Sequence, residues 1–156
     1  MRSYLSLGLA GIAVLLIAAA CAGDGTGLGN GNGNGNNDPC SAAADPTATF
    51  SCDVQPVFTA SCALTGCHVA PNPPHGLILS PGAAYSNLVD VTSGEAPALK
   101  RIRPGLPDSS YLVHKIQGTQ ASVGGSGGRM PLNGTALSQA VIDTIRSWVA
   151  AGAANN

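Results

Sequence analysis

The apolar positions of the chain fall into four short groups at helical spacing, separated by stretches rich in proline and glycine. Val54, Val57 and Phe58 stand at i, i+3 and i+4 and predict a short helix running from Cys52 to Cys62. Asp53 is placed to cap it, and Pro56 is harmless in a first turn, where N–H groups are unpaired anyway. Tyr85, Leu88 and Val89 mark a second helix that Ser80-Pro81 would open as cap and first helical residue. A third follows Asp108 as cap, with Tyr111, Leu112, Lys115 and Ile116 turned to one face. The last helix carries the fullest signature. Ser138 is its N-cap, Leu137 and Ile142 hold the hydrophobic-staple positions, and Gly152 ends it. Val141, Ile142, Ile145, Trp148 and Val149 form its buried stripe. Between these elements, Pro71, Pro73 and Pro74 impose an extended run and a turn, and Gly124-Gly125-Ser126-Gly127-Gly128 reads as a flexible loop leading into Arg129-Met130-Pro131.

The N-terminal third follows other rules. Residues 1–20 read as an export signal, with Arg2 as the positive start and an apolar run from Leu5 to Ala20. That run is short and alanine-rich for a membrane span, which needs roughly 20 strongly apolar residues. Ile17-Ala18-Ala19-Ala20-Cys21 resembles the lipobox of bacterial lipoproteins, which implies lipidation of Cys21 as the first mature residue. Ala18 stands where that family prefers Leu, and plain secretion is the alternative. Ala22, in place of the Asp that marks inner-membrane retention in enteric lipoproteins, points to the outer membrane, facing the periplasm or the cell surface. Lipid chains anchor stably, since each buried CH₂ adds about 0.8 kcal/mol. The rest of residues 21–49 is dominated by Gly and Asn up to Pro39 and, with Leu28 as its one large apolar side chain, has little to bury, so it reads as a tether. Eighteen or so such residues reach roughly 20–25 Å. No Lys-Ser/Thr follows to make the glycines a phosphate loop. The folded domain is expected over residues 50–156.

Composition narrows the chemistry. A formal net charge of −1 and a single small basic cluster, Lys100, Arg101 and Arg103, argue against nucleic-acid binding. There is no catalytic triad, paired-carboxylate constellation or phosphate loop, so an enzyme is not expected. With 4% aromatic residues the core is thin, and a flat apolar cofactor would help to fill it.

The distinctive stretch is Cys62-Ala63-Leu64-Thr65-Gly66-Cys67-His68. Two thiols with a His directly after the second are the mark of covalent haem attachment, usually as C-x-x-C-H. Here four residues separate the cysteines. A continuous helix would set the two thiols apart around its axis, so a break or loop at Gly66 is needed for both to face one ligand. Of the five cysteines, Cys21 is taken by the lipid. If Cys62 and Cys67 hold haem, Cys40 and Cys52 remain as a pair in a disulfide-permissive compartment. Without a cofactor, four cysteines allow three pairings, among them Cys40–Cys52 with Cys62–Cys67. A different metal on Cys62, Cys67 and His68 is a third possibility, with no further ligand cluster at a convincing spacing.

From Phe50 onward the chain resembles a class I c-type cytochrome domain, as found in exported proteins of environmental Gram-negative bacteria. The motifs that carry the resemblance are VFTASCALTGCH, RPGLPDSSYLVHKI, GGRMP and LSQAVIDTIRSWVAAGA, which in order span about two-thirds of the chain. The resemblance implies an all-α fold whose first and last helices pack together beside haem c. It implies thioethers at Cys62 and Cys67, and iron ligation by His68 and Met130. Arg101, Arg103 and Arg129 are candidates for contacts to the haem propionates, and His75 and His114 are rival sixth ligands. The implied activity is electron transfer with redox partner proteins, from a lipid-anchored position at a bacterial membrane. The alternative is a lipoprotein binding or structural module of the same fold, with Cys62–Cys67 as a disulfide and no haem.

Overall fold

Proline and hydrogen-bond supply decide where the first helix begins. The computed structural model of the chain describes Cys40 and residues 48–156; the segments expected to be an export signal, a lipidation site at Cys21 and a tether up to Pro39 lie outside the described residues. Pro56 has no N–H to give to the carbonyl of Cys52, so a regular ladder cannot run through it. The chain instead opens with a wide π turn, Phe50–Val54, in which Gln55 N–H reaches Phe50 O. Helix α1 then runs over Gln55–Ser61. Asp53 lies inside the first turn, not ahead of it as the sequence suggested. Its carboxylate reaches back to the N–H and hydroxyl of Thr49 at 2.7 and 2.9 Å. The next two N–H groups are taken by the far end of the chain: Phe50 N–H bonds Asn156 Oδ1 at 2.9 Å, and Ser51 N–H bonds Asn156 O at 2.8 Å.

The second helix, α2, covers Ala84–Leu88 and starts later than Ser80-Pro81 predicted. Gly82 is in the left-handed region at φ +80°, which no helical start can include. The carbonyl of Ser80 accepts from both Ala83 and Ala84, so a tight turn precedes the helix. Asp108 is likewise not a cap. Pro107–Ser109 form a 3₁₀ turn, and α3 runs over Tyr111–Gln117. Its first two N–H groups go to Lys100 O and Arg101 O at 2.9 and 3.0 Å, so a neighbouring segment does the capping. The Asp108 carboxylate pairs with Arg146 at 2.7 Å instead.

Helix α4, Gln139–Ala150, follows its sequence signature closely. Ser138 Oγ accepts from Val141 N–H, and Gly152 has φ +105° just beyond the end. Substituting Ser138 by Ala removes this cap and lowers stability by about 0.5–2 kcal/mol, measured as a fall in denaturant midpoint at unchanged slope.

Among the described residues the architecture is helical with no strand; three isolated bridges tie residues 89–92, 100–102 and 110 together. Ile142, Ile145, Trp148 and Val149 of α4 meet Phe50, Val54 and Phe58 from the first helix and Leu88, Ile102, Leu112 and Ile116 from the middle of the chain. Phe50 is the hub, with ring centroids 5.3 Å from Trp148, 5.3 Å from Tyr85 and 6.4 Å from Phe58. Aromatic pairs at these separations contribute beyond their buried area. Cys40 is joined to Cys52, in the first turn, by a disulfide. No helix among the described residues is long and apolar enough to cross a membrane.

Candidate functional site

A cavity of about 590 Å³ opens between the end of α1, the proline-rich segment after it, α3 and the loop before α4. That volume is within the roughly 300–1,000 Å³ of small-ligand and cofactor sites. Its walls are largely apolar, from Phe58, Leu77, Leu79, Leu112, Ile116 and Leu137. Into the same space come Cys62, Cys67, His68 and Met130, together with Arg101 and His75.

The loop that carries the thiols is built by local hydrogen bonds. Helix α1 already ends at Ser61, before Gly66, with Cys62 as its C-cap. Cys67 N–H bonds Leu64 O at 2.8 Å, and His68 N–H returns to Cys62 O at 3.0 Å. Gly66 takes φ +80°, the one left-handed position this closure needs. The four-residue gap is therefore a closed loop rather than a stretch of helix, and both thiols line one cavity. Cys62 and Cys67 are separate thiols in this structure.

Burial, with the neighbouring Cys67 as a smaller cause, pushes the Cys62 thiol up to about 11. Cys67 is exposed. Only the thiolate alkylates, so at pH 8 Cys62 offers on the order of a hundredfold less nucleophile than an ordinary thiol of pKa near 8.5. Cofactor-free, reduced protein therefore labels first at Cys67, and the gap closes as pH rises toward 11; peptide mass spectrometry after timed alkylation reads this directly. Equal rates at pH 8 would show that Cys62 is not buried as described.

His68 is half-buried, and its Nδ1 lies 3.1 Å from Leu77 O. A carbonyl can only accept, so Nδ1 carries the proton and Nε2 keeps its lone pair. Burial lowers the pKa of the imidazole, which favours that neutral form. A ring N–H held by a backbone carbonyl, with the other nitrogen bare, is the arrangement of metal-ligating histidines. Met130, partly buried, is held at the cavity by its N–H, which bonds Lys115 O at 2.9 Å.

The other candidates separate clearly. Arg101 reaches the cavity, but its guanidinium donates to Asn87 O at 2.8 Å and His75 O at 2.6 Å. The structure does not bring Arg103 or Arg129 to the cavity wall. Arg103 is exposed, and the Arg129 side chain lies across Gly118 at the end of α3. His75 lines the opening with a largely exposed ring that approaches Glu95 at 3.7 Å. His114 is turned away, with Nδ1 2.9 Å from Thr119 Oγ1 and Nε2 3.0 Å from Asp108 O. Among the described residues no cluster of three His, Cys, Asp or Glu side chains converges to hold a bare metal ion.

Sequence reasoning missed Glu95 altogether. Its carboxylate meets Lys115 Nζ at 3.2 Å beside the cavity. The available signal was Lys115 itself, a cation on the apolar face of α3, where burial demands a partner. The glycine loop is also not open chain. Lys115 Nζ donates to Ser126 O at 3.1 Å, Gln120 Nε2 donates to Gly127 O at 2.7 Å, and the Tyr111 ring packs directly on Gly125, leaving no room for a Cβ. In comparisons with known proteins, no family model, no curated protein and no solved structure matches this chain.

Proposed function

We propose that residues 50–156 form a cytochrome c-like domain that carries one haem c and transfers electrons, on a chain exported and anchored to a bacterial membrane through lipid on Cys21. The observation that carries the reading is the His68 imidazole, with Nδ1–H held by Leu77 O and Nε2 bare, on the same cavity as two separate thiols and a methionine. The residues present fit such a group. The cavity is roomy and mainly apolar, and the donor set is soft sulfur plus imidazole rather than carboxylate.

In this reading the sulfurs of Cys62 and Cys67 would hold the macrocycle covalently, and His68 and Met130 would ligate the iron. Bound there, haem supplies a one-electron iron couple; His/Met ligation raises its potential and leaves no open position for oxygen chemistry. The chain's own part is to bind, orient and shield. The apolar walls exclude water, and Leu77 O fixes the plane and tautomer of the imidazole. Of the three candidate arginines Arg101 alone lines the cavity, and it would be the one to contact the propionates. Leu64 and Leu132, 47% and 59% exposed at the opening, would give a redox partner protein an apolar rim.

The test is direct. The full chain is expressed in a bacterium with haem-maturation machinery, and its denatured mass and visible spectrum are recorded. The expected result is a mass increase of one haem with a reduced α-band, both lost in the Cys62→Ser/Cys67→Ser double variant. A colourless protein, whether its two thiols are free or joined as a disulfide, overturns the reading and favours a cofactor-free lipoprotein module.

A further inference from the structure

Glu95 and Lys115 line the same cavity as an ion pair, and buried charges are costly to keep unless they are paired. The Lys115 side chain is 8% exposed and the Glu95 side chain 14%, with Nζ to Oε2 at 3.2 Å. Breaking one partner of such a pair leaves an uncompensated charge, whereas two apolar residues would serve simple packing as well or better. What sets this pair apart is what it is tied to.

Lys115 bonds the glycine loop at two points from one residue. Its Nζ donates to Ser126 O at 3.1 Å, and its carbonyl accepts from Met130 N–H at 2.9 Å. Lys115 is therefore fixed from one side by Glu95 and fixes, on the other, both ends of the segment that presents Met130. Neighbouring groups reinforce this hold. Gln120 Nε2 takes Gly127 O at 2.7 Å, and Tyr111 closes over Gly125. The Tyr111 hydroxyl is itself buried beside the Glu95 carboxylate and Ser126 O without a well-aligned hydrogen bond to either. Five residues with four glycines have no side-chain anchors of their own, so the lysine supplies the order that the loop's composition cannot.

We propose that the Glu95–Lys115 ion pair is a positioning clamp that holds residues 126–130 against α3 and so sets where the Met130 sulfur sits in the cavity. The consequence for axial ligation rests on the haem reading; the clamp itself does not. Neither residue touches the reacting atoms, so their effect is on the stiffness and placement of Met130.

The experiment uses the full chain as purified from the haem-maturation strain, with its denatured mass measured first, so that haem attachment is settled separately. Lys115→Met keeps the length of the side chain and removes the charge, and Glu95→Gln removes the partner with little change in shape. Ser138→Ala is the comparison variant, destabilised by loss of the α4 cap with Glu95 and Lys115 intact. The expected result for either clamp variant is amide exchange about tenfold or more faster at Gly127–Met130, with α4 amides unchanged relative to Ser138→Ala. When haem is attached, the methionine-to-iron charge-transfer band also weakens and the potential falls, while Ser138→Ala moves neither. If Lys115→Met does not fold, Glu95→Gln decides alone. Loop exchange, and where present band and potential, that match Ser138→Ala in a folded clamp variant overturn the proposal. Faster loop exchange in a chain that carries no haem supports the clamp while rejecting the cytochrome.

Discussion

Substituting Trp148 by Ala removes about 3–5 kcal/mol of stability, the usual cost of emptying a buried aromatic site. Domains of this size hold only about 5–15 kcal/mol in all, so a variant that unfolds broadly near 37 °C is the expected outcome. The magnitude follows from position. Trp148 is 1% exposed and lies 5.3 Å, centroid to centroid, from Phe50, the ring that also meets Tyr85 and Phe58. Its Nε1–H also donates to Ala154 O at 2.8 Å and fixes the tail that turns back at Ala153. That tail supplies Ala153 O to the Tyr85 hydroxyl at 3.0 Å, and Asn156 caps the first helix. Losing the indole therefore loosens both ends of the domain. Trp148→Phe keeps the ring contact and loses the donor, so it should cost far less, about 1–2 kcal/mol. Urea titrations followed by circular dichroism compare the three proteins, since the alanine variant has no tryptophan to report. A midpoint for Trp148→Ala within about 1 kcal/mol of the parent would mean that the core is not organised around this ring.

That core was legible in the sequence because α4 is long enough to repeat its pattern. Twelve residues with Ser138 ahead and Gly152 behind leave little choice of face. The shorter helices were legible as elements but not at their starts. Asp53 falls inside a turn that begins at Phe50, whose first N–H groups go to Asn156; after Ser80-Pro81 the left-handed Gly82 interrupts the start; and the first N–H groups of α3, which Asp108 was to serve, go to Lys100 O and Arg101 O. Local chemistry could not foresee Asn156, more than 100 residues away, or the carbonyls of a separate segment at residues 100 and 101.

The site divides along the same line. The structure brings Cys62, Cys67 and His68, singled out by their close spacing, and Met130, singled out by the resemblance, to one cavity. The arginines were not readable in this way, since nothing in a sequence says whether an arginine points at a cavity or lies along a glycine, as Arg129 does on Gly118. The carbonyl of Leu77, which fixes the His68 tautomer, belongs to a residue whose side chain gives no hint of the role. Glu95 was invisible for a related reason. A lone carboxylate in a turn becomes meaningful only when a buried lysine is found beside it.

In the haem-loaded protein, Met130→Ala should lower the reduction potential by on the order of a few hundred millivolts, within the roughly 0.8 V over which axial ligands tune haem. It should also abolish the methionine-to-iron charge-transfer band. The direction follows from ligand chemistry. A thioether is a soft, neutral donor that favours the reduced iron, and water or hydroxide in its place favours the oxidised form. Among the described residues the substitutes are few. Met130 is the only methionine besides Met1, His114 has both ring nitrogens engaged, and Lys115 is paired with Glu95 and Ser126 O. Of the two rival histidines only His75 lines the cavity. It lines the same opening with an exposed ring, and its backbone carbonyl is held by Arg101. The double variant Met130→Ala/His75→Ala separates the two outcomes. If His75 takes the vacant position, the single variant shows a low-spin spectrum of two imidazoles and the double variant becomes high-spin. If it does not, both are high-spin and both bind exogenous imidazole or cyanide readily. A Met130→Ala protein with unchanged potential and band would remove Met130 from the iron and assign the sixth position to another residue.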